Sequence, residues 1–511
     1  MIQKVLIANR GEIAVRIIRT CQEMGIRTVA VYSAADETSQ HVLLADEAVP
    51  IGSAPPFESY LSIERVIDAA KSTACDAVHP GYGFLSENAE FAERVGQANL
   101  IFIGPSAEAI RLMGSKIKAR EIMKGAGVPI VAGHHLEDNQ AQANIHALAK
   151  EIGYPLFVKA AAGGGGKGMR LVEQEAELDE AIDSAKREAY QAFGNDQVFL
   201  EKYVLNPHHI EFQICGDVHG NIVHLFEREC SIQRRHQKII EESPSPLLDD
   251  DLRDRMGQAA IVAAKAVNYV NAGTVEFLAD EAGNFYFLEM NTRLQVEHPV
   301  TEMVTGIDLV RLQIMIANDS PLHFQQDDVS QRGHAIECRI YAEDPANGFL
   351  PETGTLLQVS EPSGPDIRVD SGFNTNNEVT LHYDPMLAKL IVRAENRENA
   401  IQKMRLALQE FDILGVRTNI AFLQDVVDYP AFQTGDTTTN FIEQYFSGWG
   451  KADEEVPEIA LIAAALAEYQ SKQTPSTQTI RADRLGEDMF SPWQNLGPLR
   501  LGLRGEQTDE D

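Results

Sequence analysis

Two hydrophobic periods alternate along the first hundred residues. Residues 4–8 are a short apolar run of strand length, and Ile13, Ile17, Ile18, Cys21 and Met24 then recur at helical spacing. Gly25 ends that helix, and residues 28–32 form a second apolar run. Residues 76–79 and 100–103 repeat the strand signal, each after a helical stretch. Strand and helix in alternation predict an α/β unit with a parallel sheet. No G-x-G-x-x-G follows the first strand, which argues against a nicotinamide dehydrogenase.

The pattern changes near residue 116. A smaller unit runs to about 203, with strands at 155–159 and 198–203 and a helix ending near 192. From 209 to about 330 the signals are strands with hairpin turns, at Gly220-Asn221 and Ala282-Gly283-Asn284. From 334 to about 446 there is another mixed unit, with strands at 336–341 and 387–392 and a helix at 398–411. Beyond Gly450 the chain is charged at 451–458, Ala-rich and helical at 459–469, and polar and loose at 471–479. The 511 residues therefore divide into two to four packed units.

Composition removes several classes. The chain is 44% hydrophobic, yet no stretch is apolar for long enough to cross a bilayer. The start carries no signal or transit pattern, so a cytoplasmic location is expected. Cys21, Cys75, Cys215, Cys230 and Cys338 lie far apart, which predicts buried thiols rather than disulfides or a zinc site. A net charge of −32 repels nucleic acid and anionic membrane. An anionic substrate would need basic residues gathered locally against that field.

The candidate chemistry lies in four places. Strand 155–159 ends at Lys159 and runs into Ala160-Ala161-Ala162-Gly163-Gly164-Gly165-Gly166-Lys167-Gly168-Met169. Four consecutive glycines cost backbone entropy and pack nothing, but they let N–H groups approach phosphate oxygens. Residues 274–278 and 285–291 read as a hairpin. A four-residue turn at 281–284 sets Glu276 opposite Glu289, and period two puts Asn291 on the face of Glu289. Two carboxylates and an amide oxygen suit magnesium, or manganese, on ATP phosphates. In Arg293-Leu294-Gln295-Val296-Glu297, Arg293 offers a fork to a small planar oxyanion and Glu297 a base beside it. Residues 231–238 form a basic island, read as a solvated face or partner patch unless His236 and Lys238 serve an anion.

Together these motifs resemble the biotin carboxylase family. The match starts at Ile7-Ala8-Asn9-Arg10-Gly11-Glu12-Ile13-Ala14 and includes His79-Pro80-Gly81-Tyr82-Gly83-Phe84-Leu85-Ser86-Glu87-Asn88. It continues through the glycine loop, 233–238, 289–302 and 334–343, to about Phe446. The resemblance implies an N-terminal Rossmann-like domain at 1–115 and an ATP-grasp domain at 116–330 whose glycine-loop lid spans about 131–203. It further implies an α+β C-terminal domain at 331–446, with 447–511 leading toward a missing carrier region.

The resemblance also implies the roles. ATP falls to Lys116, Lys159, Gly164, Gly165, Gly166, Lys167, Gly168, Met169, Glu201, Lys202, Val204, His209, Gln233, His236, Glu276, Leu278 and Glu289. The metal falls to Glu276, Glu289 and Asn291. Bicarbonate falls to Lys238, Arg293, Gln295 and Val296, with Glu297 as its base. Biotin falls to Tyr82 and Arg339. Lys238, Arg293, Glu297 and Arg339 make the catalytic set. Arg19, Glu23 and Arg368 stand where the family forms its dimer contact. Residues 491–501 resemble the stretch that leads toward a biotinylated A-M-K-M carrier, yet A-M-K-M is absent. Biotin is therefore expected on a separate carrier chain or on a removed carrier region. A carboxyltransferase subunit is the other expected partner, in a homodimer or larger complex. Two rivals stand beside this reading: another acyl-phosphate-forming ATP-grasp ligase, and a silent scaffold.

Overall fold

A computed structural model describes residues 1–136, 142–160, 169–194 and 196–450, together with Ile462, Ala465 and Leu466. The glycine loop, with Gly164, Gly165, Gly166, Lys167 and Gly168, lies outside the described residues, as do 451–458, 471–479 and 491–501. Two compact units divide the chain, Met1–Lys451 and Ala452–Asp511. In the second, Ile462, Ala465 and Leu466 are helical and exposed.

The first hundred residues fold as their periods predict. β1 (Lys4–Ile7), β2 (Arg27–Ser33), β3 (Glu47–Gly52), β4 (Ala77–His79) and β5 (Ile101–Phe102) form a parallel sheet in the order β3-β2-β1-β4-β5. Val5, Leu6 and Ile7 are fully buried, as a parallel strand covered on both faces requires. The strand order reverses between β1 and β4, where an open α/β sheet leaves a crevice. Asn9 bridges it, donating from Nδ2 to the carbonyls of Pro80 at 2.8 Å and Tyr82 at 2.7 Å.

A small four-stranded sheet follows, in the order β6-β9-β7-β8: β6 (Gly133–His135), β7 (Leu156–Ala160), β8 (Met169–Val172) and β9 (Val198–Lys202). Helices Gln142–Ile152 and Leu178–Phe193 accompany it. Its own core includes Leu156, Val158, Val172, Leu178, Val198 and Leu200.

The largest element is an eight-stranded antiparallel sheet. It contains β10 (His208–Gly216), β11 (Ile222–Arg234), β12 (Gln237–Ser243), β13 (Asn271–Ala279), β14 (Phe285–Asn291), β15 (His334–Tyr341) and the strands Met386–Ala394 and Ile367–Ser371. The order β14-β13-β10-β11-β12-β15 is completed by those last two strands, so the sheet is continuous across residue 330. Strand-and-hairpin signals over 209–330 missed three helices, Asp250–Ala266, His298–Thr305 and Leu309–Ala317. The first opens on Asp249, whose side chain accepts from Leu252 N at 2.8 Å. It packs Met256, Ala260 and Ala264 into the core beside β10 and β13.

Candidate functional site

A cavity of about 960 Å³ opens between the central sheet and the four-stranded unit. The sequence reading of its floor arrives by a different route. The turn between β13 and β14 spans five residues, Asp280 N donating to Asn284 O at 2.9 Å, so Ala279 pairs with Phe285. The register then slips by one between Glu276 and Phe277, leaving Leu288 as the extra residue, and Glu276 faces Glu289 after all. The longer turn and the bulge cancel, and the bulge re-aims the side chains beyond it. Asn291 pairs with Thr274 and donates from Nδ2 to Glu276 Oε1 at 2.8 Å.

Glu276 is the most engaged carboxylate of this floor. Its Oε1 also accepts from Lys238 Nζ at 2.9 Å and Gln295 Nε2 at 3.1 Å, and His209 Nε2 lies 2.8 Å from its Oε2. Burial alone would raise its pKa, but Lys238 and His209 overcome that and hold the carboxyl well below its usual range. Glu289 is pushed up by burial and then by the charge of Glu276. Two facing carboxylates with an amide beside them offer hard oxygen donors, and a divalent cation between them would remove the repulsion that raises Glu289. The donor set fits magnesium.

Lys238 and Glu297 form the centre of the site. Lys238 Nζ donates to Glu211 Oε2 at 2.6 Å, Glu276 Oε1 at 2.9 Å and Glu297 Oε1 at 2.6 Å, using all three of its hydrogens. Burial disfavours the ammonium, yet these carboxylates raise its pKa well above normal. Glu297 is 0% exposed, and its Oε2 accepts from Arg339 Nη2 at 2.9 Å. Lys238 and Arg339 outweigh burial and hold Glu297 deprotonated well below its usual pKa. Arg293 is fixed by Glu87 Oε2 at 2.8 Å, Gln295 Oε1 at 2.6 Å and Asn291 Oδ1 at 3.2 Å. The Val296 carbonyl accepts from Lys389 Nζ at 2.7 Å.

The opposite wall carries Lys159, Met169, Glu201, Lys202 and Val204. Glu201 binds Lys159 and also accepts from Arg120 Nη1 at 2.5 Å. Lys202 sends its ammonium to the carbonyls of Gly153 at 3.0 Å and Tyr154 at 3.2 Å. Lys116, also in the lining, has its pKa lowered by burial. His236 stands at the tip of the β11–β12 hairpin. Arg234 pairs with Gln237 there, and both turn residues, Arg235 at φ 49° and His236 at φ 65°, adopt the left-handed conformation such a turn demands.

Every described residue assigned to ATP, metal or bicarbonate lines this cavity, with Arg339. So do Lys116, Lys159, Lys202, Arg234, Arg235, Lys238, Arg293 and Arg339, the local basic concentration that the global charge demanded. Tyr82 is absent from the lining; its hydroxyl donates to Glu12 in the crevice beside β1. Arg368, expected at a dimer contact, is engaged within the chain by Glu302 Oε2 at 2.8 Å and Asp370 Oδ2 at 2.7 Å. All five cysteines are buried and free.

Sequence reasoning missed Glu211, Glu241, Arg120 and the wall from Thr439 to Trp449. Glu211 was within reach, since period two puts it on the face of His209 in β10. The wall at 439–449 carries no motif.

Three family models match the chain. One described as the biotin carboxylase N-terminal domain covers residues 1–110, and the biotin carboxylase C-terminal domain covers 337–444. Between them the carbamoyl-phosphate synthase L chain ATP-binding domain matches 115–325. A biotin carboxylase of Halalkalibacterium halodurans is 53% identical over 445 residues, 87% of this chain and 98% of that protein. The mitochondrial methylcrotonoyl-CoA carboxylase subunit alpha of Rattus norvegicus is 50% identical over 504 residues, 98% of this chain and 70% of the relative. A solved biotin carboxylase–β,γ-ATP complex from Campylobacter jejuni superposes with a TM-score of 0.84 at 48% identity, covering 87% of this chain and 99% of the other. The biotin carboxylase domain dimer of Hydrogenobacter thermophilus 2-oxoglutarate carboxylase, solved with MgADP, ADP and bicarbonate, gives 0.83 at 48% identity, covering 87% and 98%.

Proposed function

The chain belongs to the biotin carboxylase family of ATP-grasp ligases, and from that premise we propose how its cavity carboxylates biotin with ATP and bicarbonate. The observation that carries the reading is the Glu297 carboxylate, buried and held anionic between Lys238 and Arg339. Arg293, Gln295, Lys238 and the backbone of Val296 seat bicarbonate. Glu297 takes its proton, and the resulting oxyanion attacks the γ-phosphate of ATP to give carboxyphosphate and ADP. Carboxyphosphate divides into carbon dioxide and phosphate. The phosphate takes the proton from the biotin ureido nitrogen, which captures the carbon dioxide while Arg339 stabilises the biotin enolate. Tyr82 flanks the biotin pocket.

Lys116, Lys159, His236 and the glycine loop hold the phosphates, and Glu201, Lys202, Val204 and Leu278 the adenine side, with Met169, His209 and Gln233 around them. Glu276, Glu289 and Asn291 would hold magnesium or manganese, which neutralises phosphate charge. Residues 131–203 act as a lid that closes over ATP and keeps water from carboxyphosphate.

The likeness along 98% of the chain to methylcrotonoyl-CoA carboxylase alpha supports a role in an acyl-CoA carboxylase, with methylcrotonyl-CoA as final acceptor. Biotin arrives on a carrier protein or domain, and a carboxyltransferase completes the complex. A homodimer and a cytoplasmic location belong to the same reading. ADP release by the purified chain with magnesium and bicarbonate is expected to rise when free biotin is added. Bicarbonate-dependent turnover indifferent to biotin would favour another acyl-phosphate-forming ligase.

A further inference from the structure

A buried carboxyl pair that the reaction above does not use lies against the Arg339 guanidinium. Glu241 on β12 and Glu337 on β15 stand directly opposite each other in antiparallel register, and both are 0% exposed. Glu241 Oε1 accepts from Arg339 Nε at 2.6 Å and lies 2.5 Å from Nη2. The same Nη2 donates to Glu297 Oε2 at 2.9 Å. The guanidinium therefore lies between two carboxylates, one of them the expected base. Neither Glu241 Oε2 nor either oxygen of Glu337 has a hydrogen-bond partner among the described residues.

Two buried carboxyls side by side cannot both ionise. Burial pushes Glu337 well above its usual range, and Lys389 offsets this only in part, so Glu337 is the neutral member. Lys389 itself is engaged by the Val296 carbonyl at 2.7 Å. Glu241 is raised to about 7 by burial against the pull of Arg339, and it is the member of the pair whose oxygen meets the guanidinium.

We propose that Glu241 is the positioning residue of the biotin half-reaction: it holds Arg339 by Nε and fixes the direction in which the guanidinium meets the biotin ureido oxygen. Glu337 fills the space behind it and supplies no charge. The inference rests on reading Arg339 as the biotin-facing residue.

The test measures two activities of the purified chain: bicarbonate-dependent ATP cleavage without biotin, and its stimulation by free biotin. Glu241→Ala is expected to lose biotin-stimulated kcat about 10²-fold, the cost of a misplaced group. Its biotin-independent cleavage and its KM for ATP should stay within about twofold. Glu241→Gln keeps an acceptor for Arg339 Nε and should recover most of the loss, whereas Glu241→Asp, whose shorter side chain draws the carboxylate back from Arg339, should lose biotin stimulation selectively and serves if the alanine variant fails to fold. Glu337→Gln should behave as the wild type. Unchanged biotin stimulation in Glu241→Ala and Glu241→Asp, beside a selective loss in Arg339→Ala, would overturn the inference alone. Parallel loss of both activities in Glu241→Ala, or a Glu337→Gln variant as impaired as Glu241→Ala, would also overturn it, by showing a merely structural layer. Equal loss of both activities in Arg339→Ala would overturn the reading of Arg339 and the inference with it.

Discussion

On the central sheet the side chains that face the cavity are interlocked: Lys238 serves three carboxylates, Glu276 accepts from four donors, and Glu297 sits between an ammonium and a guanidinium. On the four-stranded unit of β6–β9 the facing cations among the described residues include Lys159, which leans on Glu201, and Lys202, which is tied to carbonyls of its own unit. The sheet holds its charges in place before any substrate arrives, as electrostatic catalysis demands. The smaller unit has a separate core, and its described facing cations are held by groups of that unit, which suits a part that moves onto a nucleotide.

The sharpest way to break this contrast is to remove the shared cation. Lys238→Met leaves Glu211, Glu276 and Glu297 buried without their common partner. It is expected to abolish turnover and to cost at least about 3 kcal/mol in denaturant unfolding at pH 8. Undiminished stability would show that the carboxylates do not depend on it. Leu200→Ala opens a cavity in the small core, where Leu200 is 0% exposed. A loss of about 2–5 kcal/mol should be confined to 142–202, visible as faster amide exchange there with the central sheet unchanged. Equal loosening of both would mean one cooperative body.

Glu289→Gln addresses the facing carboxylates. The magnesium concentration needed for half-maximal turnover should rise at least about tenfold with circular dichroism unchanged. An unaltered requirement would remove Glu289 from the metal site. The smallest effect lies in the N-terminal sheet region. Burial lowers the pKa of His41 to about 4 and of His79 to about 3, so the folded state favours their neutral forms. The unfolded chain takes up protons below its own pKa of about 6.5, so this stability is full above that pH and is lost as pH falls through it. Stability should drop by about 1–2 kcal/mol per histidine between pH 7 and pH 5, and a flat profile would contradict neutral burial.

Local patterns made much of this legible. The strands at 4–8, 28–32, 155–159, 336–341 and 387–392 all exist within a residue or two of their structural bounds. Period two sets Glu276 opposite Glu289, as the structure has them, although a four-residue turn is one residue short and leaves out the Leu288 bulge; the two departures cancel. The long helix Asp250–Ala266 is hard to read because Gly257, Ala260, Ala263 and Ala264 dilute the apolar signal of Leu252, Met256 and Ile261 on its buried face, although Asp249 and the two acids after it mark its start. What no local pattern carries is the pairing of β12 with β15, nearly a hundred residues apart, which puts Glu241 behind Arg339. The buried acids Glu211 and Glu241 read as ordinary charged strand residues until the sheet closes over them.

The most direct measurement is bicarbonate-dependent ADP release by Glu297→Gln beside the wild type, with magnesium and saturating ATP. Loss of a general base predicts a fall of about 10²–10⁴-fold with the fold intact. Turnover within a few-fold of the wild type would contradict the claim that Glu297, held anionic between Lys238 and Arg339, takes the proton from bicarbonate.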